Sequence, residues 1–431
     1  DILVAPKREE QQKIATYFDN IDHLITLHQR IILYGREKVA FVWEQRKLGD
    51  VLNDMYNGQT PSRNKSEYWN GNIKWLSSGE LNRGTVYDSI ETITEEGQKA
   101  ANLRIVPKGT FVMAITGLEA AGTRGNCALL GFDTTLNQSC MALFPKQELL
   151  TSEFLFQWYR KVGEEYGLNY TQGTKQQSYN AELIKILPIS LPSVAEQMKI
   201  FSYLSNLDHL ITLHQRKLEK LQNMKKSCLQ KMFPKDGATV PEIRFSEFQG
   251  DWEERTLGSC FDERLESLPD GELLSVTIGS GIKKFSELDR HDNSNTDKSK
   301  YKRVCIGDIA YNSMRMWQGA SGRSPYEGIV SPAYTVVKPI GDIDTQFFAY
   351  MFKKKEIIHL FEINSQGLTS DTWNLKYPAF SKIVVRVPRN VEEQSRIARF
   401  LLELDELISC TEQEIEITKR MKKGCLQKMF V

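Results

Sequence analysis

The sequence lacks the features that mark membrane spans, disulfide frameworks and metal sites. No apolar run approaches the ~20 residues that a membrane-spanning helix needs. The seven cysteines are scattered, with no C-x-x-C pair and no spacing with histidine that suits zinc. This pattern favours reduced thiols in a cytoplasmic protein, with no metal site. The N-terminal stretch DILVAPKREEQQK has no signal-peptide layout.

Motifs of catalysis are also missing. There is no G-x-x-x-x-G-K-[ST] loop for a nucleotide-driven motor. A self-contained DNA methyltransferase needs a cofactor-binding glycine loop and an N-P-P-Y/F-type motif, and neither is present. The nearest glycine run, IGSGIKK at 278–284, lacks the strand–turn–helix context of a nucleotide loop. We therefore expect no catalytic residues and no cofactor of the chain's own.

Charge of one sign is not in excess, since the net charge is only +1. Binding to nucleic acid by bulk charge alone is therefore excluded, although local patches can still bind it. One such patch is the stretch 216–235, which contains seven basic residues and only one acidic residue. Its sequence fits a solvated helix face and a polyanion-binding surface equally well.

A repeat is the most prominent feature that is present. The nonapeptide DHLITLHQR occurs at 22–30 and at 208–216, and an eroded version, DELISCTEQ, occurs at 405–413. The second and third copies extend over 196–233 and 393–430, with a seam of mostly apolar residues at alternating steps of four and three. This period predicts a long coiled-coil-like helix in each copy, and ~38 helical residues span roughly 57 Å. Polar residues recur at equivalent seam positions, which are His214 with Thr411 and Lys225 with Lys422.

Two larger segments between the copies are similar to each other. They open with VWEQRKLGDVL at 42–52 and DWEERTLGSCF at 251–261, which share W-E-x-R-x-L-G. Each continues with a strand-like run, a glycine-rich polar stretch, a strand ending in proline, an aromatic helix, a Gly-Thr/Ser/Gln loop and an apolar strand. Strands and helices do not alternate as in a doubly wound sheet, so we predict two α+β domains.

The predicted organisation follows from these repeats. It consists of a partial copy of the repeat helix at 1–42, a domain at 43–192, a long helix at 193–235, a linker at 236–251, a second domain at 252–389 and a second long helix at 390–431.

These motifs resemble those of the specificity subunit of Type I restriction–modification systems. The resemblance covers nearly the whole chain and depends on W-E-x-R-x-L-G, on GDIAYNSMRMWQGA followed by GIVSPAYTV, on LPISLP before E-Q, and on the long-helix repeat. It implies two target recognition domains, separated by two long antiparallel coiled-coil helices in a pseudo-twofold arrangement.

The resemblance also implies a function and partners. The chain would recognise a bipartite DNA target, two half-sites with an unspecified gap, without catalysing any reaction itself. It would bind two adenine methyltransferase subunits, which alone use S-adenosylmethionine, and it would also recruit a motor–nuclease restriction subunit. Two classes of alternative remain, which are a self-contained DNA methyltransferase or nuclease and a coiled-coil scaffold that binds only protein.

Candidate DNA-binding residues lie in polar and glycine-rich loops, because Arg, Lys, Asn, Gln and hydroxyl side chains read base edges and glycine allows close approach to a duplex. In the first domain they are Thr60, Ser62, Arg63, Asn64, Lys65, Thr123, Arg124, Asn126, Thr174, Lys175, Gln176, Gln177 and Tyr179. In the second domain they are Lys302, Arg303, Asn312, Ser313, Arg315, Trp317, Gln318, Arg323, Thr369, Ser370 and Asp371. Met314, Met316 and Trp317 fit a core role as well as a binding role.

The start of the chain departs from this pattern. The lead VPEIRFSEFQGDWEERTLG at 240–258 precedes the second domain only. The first domain instead follows ILVAP and a short helix copy that breaks after HQR. We interpret this junction as the product of recombination at the repeats or of truncation upstream.

Overall fold

The structure is a computed structural model that describes residues 43–119, 122–173, 177–235, 237–279, 281–289, 291, 294–369 and 372–430. The partial helix copy predicted for residues 1–42 lies outside these ranges. The chain divides into two compact units. The first unit takes in the chain up to Leu210 together with Thr418–Val431, and the second unit is Ile211–Ile417.

The first unit combines short strands with helices. Its strands are β1 (Glu44–Lys47), β2 (Leu52–Asn57), β3 (Trp69–Leu76), β4 (Thr85–Val86), β5 (Glu91–Ile93), β6 (Phe111–Ala114), β7 (Cys127–Leu130), β8 (Thr135–Leu136), β9 (Cys140–Pro145) and β10 (Pro188–Leu191). Its helices are α1 (Glu95–Ala100), α2 (Ser152–Asn169), α3 (Ala181–Lys185) and the start of α4 (Val194–Lys231). A five-stranded sheet runs in the order β2-β9-β6-β7-β4, a three-stranded sheet in the order β5-β3-β8, and β1 pairs with β10.

The second unit has a related plan. Its strands are β11 (Glu253–Thr256), β12 (Phe261–Glu263), β13 (Leu274–Thr277), β14 (Gly281–Lys284), β15 (Lys302–Val304), β16 (Ile309–Asn312), β17 (Ser321–Arg323), β18 (Gly328–Val330), β19 (Tyr334–Pro339) and β20 (Val384–Val387). Its helices are α5 (Leu257–Cys260), α6 (Thr345–Met351), α7 (Lys355–Ile363), α8 (Tyr377–Phe380) and most of α9 (Val391–Met429). One sheet of this unit runs in the order β12-β19-β16-β17. In addition, β11 pairs with β20, β13 with β14, and β15 with β18. The mixed, non-alternating plan of both units confirms the α+β prediction.

Central strands are apolar on both faces because both faces are covered. Strands β6 and β7 have every residue buried, and Phe111 of β6 packs edge-on against Tyr159 of α2 at 5.7 Å between ring centroids. A strand that is buried on both sides reads as a continuous apolar run rather than as an alternation. This accounts for the unbroken runs FVMA and CALL in the first unit.

The long helices lie within the predicted segments. Helix α4 has 38 residues and α9 has 39, and the seam residues Leu204 and Leu401 are fully buried. The helices pair antiparallel in each unit. In the first unit, Asp208 contacts Lys422 while Tyr203 contacts Cys425.

In the second unit, the antiparallel direction is given by two further pairs. Lys225 contacts Asp405, and His214 lies 3.6 Å from Glu414. The equivalent seam lysines therefore do not face each other. Each lysine instead binds the aspartate at the start of the partner helix's repeat motif, which explains why a charged residue is tolerated in an apolar seam.

Among the described residues, none of the helices combines the length and the apolar content that crossing a membrane requires.

Candidate nucleic-acid interface

Two polar loops of the first unit come together. The loop after α2 closes through a β-bridge between Gln172 and Ser178, and Ser178 also bridges Thr116, which follows β6. The backbone N–H of Leu118 donates to the carbonyl of Gln177 at 3.2 Å. The glycine-rich stretch and the Gly-Thr/Gln loop, which are separate in sequence, therefore form one edge of the unit. Thr174, Lys175 and Gln176 lie outside the described residues.

Arg124 holds this edge together rather than projecting from it. Its Nη2 donates to the carbonyl of Glu119 at 2.8 Å and to Oε1 of Gln177 at 3.3 Å, and its Nη1 lies 3.7 Å from Glu164. Only 12% of its side chain is exposed. Gly167 on α2 makes room for it, since a Cβ there would come within 2.9 Å of the Arg124 Cβ.

Asn126 and Thr123 belong to the same braced loop. The Oδ1 of Asn126 accepts a hydrogen bond from Nε of Arg83 at 3.2 Å, and its backbone N–H donates to the Thr123 carbonyl at 3.3 Å. Arg83 has a positive φ of 59°, and its Nη2 lies 3.6 Å from Glu164. Sequence reasoning missed Arg83, because nothing local marks an arginine that braces a loop more than 40 residues away.

The loop before β3 is the most exposed of the candidates in the first unit. Ser62, Arg63, Asn64 and Lys65 are exposed, and Thr60 is hydrogen-bonded to Gln138. The Arg63 guanidinium lies 3.7 Å from the Trp69 ring centroid, and its Nη2 donates to Glu91 at 2.8 Å.

Two further contacts hold this loop in place. Lys65 donates to the Tyr68 hydroxyl at 3.0 Å, and the Ser62 carbonyl accepts from the indole of Trp69 at 3.1 Å. These contacts brace the loop, in which the side chains of Ser62 and Asn64 are exposed.

Two loops of the second unit also come together. The backbone N–H of Leu375 donates to the Ser313 carbonyl at 2.8 Å, and a β-bridge between Gln366 and Asn374 closes the loop after α7. The rings of Trp317 and Trp373 meet edge-to-face with 5.3 Å between centroids. Trp373 is a second residue that sequence reasoning missed. A tryptophan in a polar loop is unusual and could have drawn attention to Trp373, but the sequence does not show that it packs against Trp317.

The stretch 314–318 presents polar groups at this edge. Arg315 is exposed, and its Nη1 donates to Oε1 of Gln318 at 3.1 Å. The Trp317 indole donates to the Met314 carbonyl at 3.0 Å, while Met316 is fully buried and anchors the turn. Asn312 accepts from the Met314 backbone through its side chain at 3.1 Å. Met316 is therefore core, whereas Trp317 is only half-buried and lies at the surface.

Two residues that were predicted to bind DNA, Tyr179 and Ser313, have buried side chains. Tyr179 is 4% exposed and belongs to the core of the first unit, because the chain turns inward as it leaves the loop. Ser313 is 5% exposed, and its hydroxyl is hydrogen-bonded to that of Thr335 at 2.8 Å. Neither side chain reaches a surface where DNA could contact it.

The remaining candidates of the second unit have protein partners. Lys302 lies 3.4 Å from Glu263, and Arg303 lies 3.2 Å from Glu266. Nε of Arg323 donates to the Thr345 hydroxyl at 3.0 Å. Thr369 is exposed and caps its own turn with Thr372, while Ser370 and Asp371 lie outside the described residues.

The Cys127 thiol, at the start of β7, is buried. Burial raises the pKa of the Cys127 thiol to about 12, so it stays protonated at neutral pH. All seven cysteines are free.

The two units share one arrangement of surface loops. Each unit holds paired polar loops on a rigid α+β frame, which suits recognition of an extended polar surface. Residues 42–223 match the family model of the type I restriction modification DNA specificity domain. This segment is therefore similar to the DNA specificity domain of type I restriction–modification systems.

Specificity subunits of type I restriction enzymes are among the proteins to which the chain is similar. The chain is 31% identical to the type I restriction enzyme MjaIX specificity subunit of Methanocaldococcus jannaschii over 43% of each chain. It is 27% identical to the EcoR124I/EcoR124II specificity subunit of Escherichia coli over 39% of this chain and 41% of that one. These two matches thus span less than half the length of either relative. The MjaVIII specificity subunit of M. jannaschii is 22% identical over 88% of this chain and 90% of that protein.

A solved structure shares the fold. The type I restriction–modification S subunit from M. genitalium superimposes with a TM-score of 0.57 at 16% identity. The superposition covers 92% of this chain and 98% of that one.

Proposed function

We propose that this chain is the non-catalytic DNA sequence-specificity subunit of a type I restriction–modification system. It recognises two half-sites separated by an unspecified gap, with one half-site read by each unit. The observation that carries the proposal is the paired-loop edge that recurs in both units on equivalent elements. Because the frame recurs while the loop residues differ, the two edges suit two different base sequences.

Chemistry and partners follow from this role. Two adenine methyltransferase subunits bind the chain and supply the methyl transfer, and S-adenosylmethionine binds only to them. A motor–nuclease restriction subunit joins the same complex. The proposed location is the cytoplasm, where the chain meets the DNA it reads. Exposed basic residues of the long helices, which include Lys226, Lys423 and Lys428, are available for DNA or for these partners.

Methylome sequencing tests the proposal directly. A host that expresses this chain with its methyltransferase partner is expected to carry methyladenine in one motif with two short fixed parts and a constant gap. The control is the purified chain alone with DNA and S-adenosylmethionine, which should transfer no methyl groups. Methyl transfer by the chain alone would support the enzyme alternative. Methylation with an undivided motif would contradict the two-part target.

The length of helices α4 and α9 should set the gap. Removing the equivalent heptads 213–219 and 410–416 shortens each helix by about 10 Å, which corresponds to about three base pairs. The gap should shrink accordingly while both half-sites keep their sequence, as read by methylome sequencing. Removing four residues from each helix instead shifts the apolar seam and should abolish activity. A half-site that changed sequence with helix length would contradict a purely spacing role.

A further inference from the structure

Lys353, which follows helix α6, joins two surface elements of the second unit. Its Nζ donates to the carbonyls of Gly319 at 2.6 Å and Ser321 at 2.8 Å, directly after the turn that carries Arg315 and Gln318. It also donates to the carbonyl of Ile278 at 3.1 Å, at the tip of the β13–β14 hairpin. The three N–H groups of one ammonium therefore fix two loops that are about 40 residues apart in sequence.

The position of this ammonium is costly to maintain. Burial and, to a smaller extent, the positive charge of Lys225 together lower the pKa of Lys353 to about 8. A buried charge is tolerated where its hydrogen bonds are all made, as they are here. Its carbonyl partner Gly319 follows the short helical turn Met316–Gln318 and has a φ of 80°, a conformation that favours glycine. An apolar side chain could fill this space but could not bind the three carbonyls, so the hydrogen bonds are the distinctive contribution of Lys353.

Glycines hold the same hairpin from another direction. A Cβ on Gly322 of β17 would lie 2.9 Å from the Gly281 Cα at the start of β14, so the two backbones touch. Gly281 itself has φ of 66°, a conformation that favours glycine. The hairpin tip is therefore fixed beside the Arg315 turn both by the Gly281–Gly322 contact and by Lys353.

The tip presents a surface suited to a phosphate. Ile278 is 51% exposed, and Gly279 beside it is exposed and has no heavy atom within 4 Å of where a Cβ would lie. Exposed glycine lets a backbone N–H approach a phosphate oxygen closely. Lys283 and Lys284 follow on β14, and Nζ of Lys284 lies 5.3 Å from the Tyr326 ring centroid.

We propose that the backbone at Gly279, in the β13–β14 hairpin, contacts a DNA phosphate at the second half-site, and that Lys353 positions this hairpin and the Arg315 turn as one surface. The inference rests on the proposed function, since it assigns a further contact to the same interface. Lys353 is a positioning residue, because its ammonium is engaged with protein carbonyls.

The test compares Lys353→Met with Lys355→Met, a matched control at an exposed lysine two residues on. Each variant is assembled with the methyltransferase and given DNA with an intact target, a base change in the first half-site, or a base change in the second. We expect Lys353→Met to lose at least tenfold of its discrimination at the second half-site and none at the first. Lys355→Met should match wild type. Equal loss at both half-sites, or loss at neither, would overturn the role of Lys353.

A pH profile separates positioning from simple structural support. Above about pH 8, Lys353 loses a proton and keeps two N–H donors for three carbonyls. Discrimination at the second half-site, relative to the first, should therefore fall between pH 7 and pH 9.5 in wild type. It should stay flat in Lys353→Met. A ratio that is flat in both proteins would count against the inference.

A second variant covers the case in which Lys353→Met does not fold. Ile278→Asp places a negative charge on an exposed tip, so folding is retained while a phosphate is repelled. We expect at least tenfold weaker binding of the intact target, with wild-type discrimination at the first half-site. Wild-type binding by this variant would refute the phosphate contact. If wild type itself discriminates at neither half-site, the proposed function fails, and the outcome is distinct from failure of this inference alone.

Discussion

The two units share their anchors and differ in their loops. In both, the tryptophan of W-E-x-R-x-L-G packs against a phenylalanine of the aromatic helix, 5.8 Å between centroids, and against a phenylalanine at the end of a long helix. The two trios are Trp43, Phe154 and Phe430 in the first unit and Trp252, Phe347 and Phe233 in the second. Among the loop residues that the structure describes, the side-chain contacts show no such correspondence. The shared anchors are therefore packing residues of each unit, whereas the exposed edges differ between the units.

The glutamate of the E-Q motif has different contacts in the two units. Glu393 is 2% exposed, and its carboxylate accepts from Arg244 at 2.8 Å and from the Trp252 indole at 3.2 Å. This carboxylate raises the pKa of Arg244 by its hydrogen bonds. The equivalent residue of the first unit, Glu196, is half-buried and has no ion pair within the part of the chain that the structure describes. Arg244 comes from the lead that precedes only the second domain.

The largest expected effect exploits this difference. Glu393→Gln removes the carboxylate that is hydrogen-bonded to the Arg244 guanidinium in a buried setting, and should cost about 3 kcal/mol of unfolding free energy in the second unit. Glu196→Gln, its matched control, should cost about 0.5 kcal/mol or less. Urea unfolding followed by hydrogen exchange in each unit measures both. Equal losses would mean that the two carboxylates are equivalent after all.

A smaller and symmetric effect is expected at the glutamines of the E-Q motif. Gln197 accepts from the Thr151 N–H at 3.0 Å and donates to the Leu149 carbonyl at 2.8 Å. Gln394 accepts from the Asp344 N–H at 3.1 Å in the same way. Changing either to Met leaves buried backbone groups unsatisfied, which costs about 1–3 kcal/mol.

Thermal and urea unfolding should show similar losses for Gln197→Met and Gln394→Met. The exposed Gln222 of α4 provides the control, since Gln222→Met removes no buried hydrogen bond. A large loss in one unit and none in the other would show that the motif has different roles in the two units.

The smallest expected effect is at the caps of the aromatic helices. The Thr151 hydroxyl accepts from the Phe154 N–H at 3.1 Å, whereas Asp344 accepts from two N–H groups at 2.9 and 3.0 Å and also binds Ser395. Replacement by Ala should cost about 1 kcal/mol at Thr151 and up to about 2 kcal/mol at Asp344. Differential scanning calorimetry of both variants tests the order, and a greater loss at Thr151 would contradict it.

Sequence patterns predicted the long elements well because a period that persists over 38 residues is a strong signal. The E-Q motif could be recognised in the sequence, but its structural role could not. Gln197 accepts a hydrogen bond from Thr151, which lies 46 residues away. Loop composition was a weaker guide. Arg315, which it marked, is exposed, but composition could not show that Tyr179 and Ser313 turn inward or that Arg124 binds the Glu119 carbonyl of its own loop.

The ion pairs between the long helices have a consequence for how such genes change. Each of the second and third copies of the repeat carries an aspartate and a lysine seventeen positions apart, Asp208 with Lys225 and Asp405 with Lys422. Each copy therefore encodes both the acceptor and the donor of a self-complementary joint. A crossover within the repeat can replace one α+β domain and still deliver a helix that pairs correctly. The first copy has Asp22 but Val39 at the lysine position, so it encodes the acceptor alone.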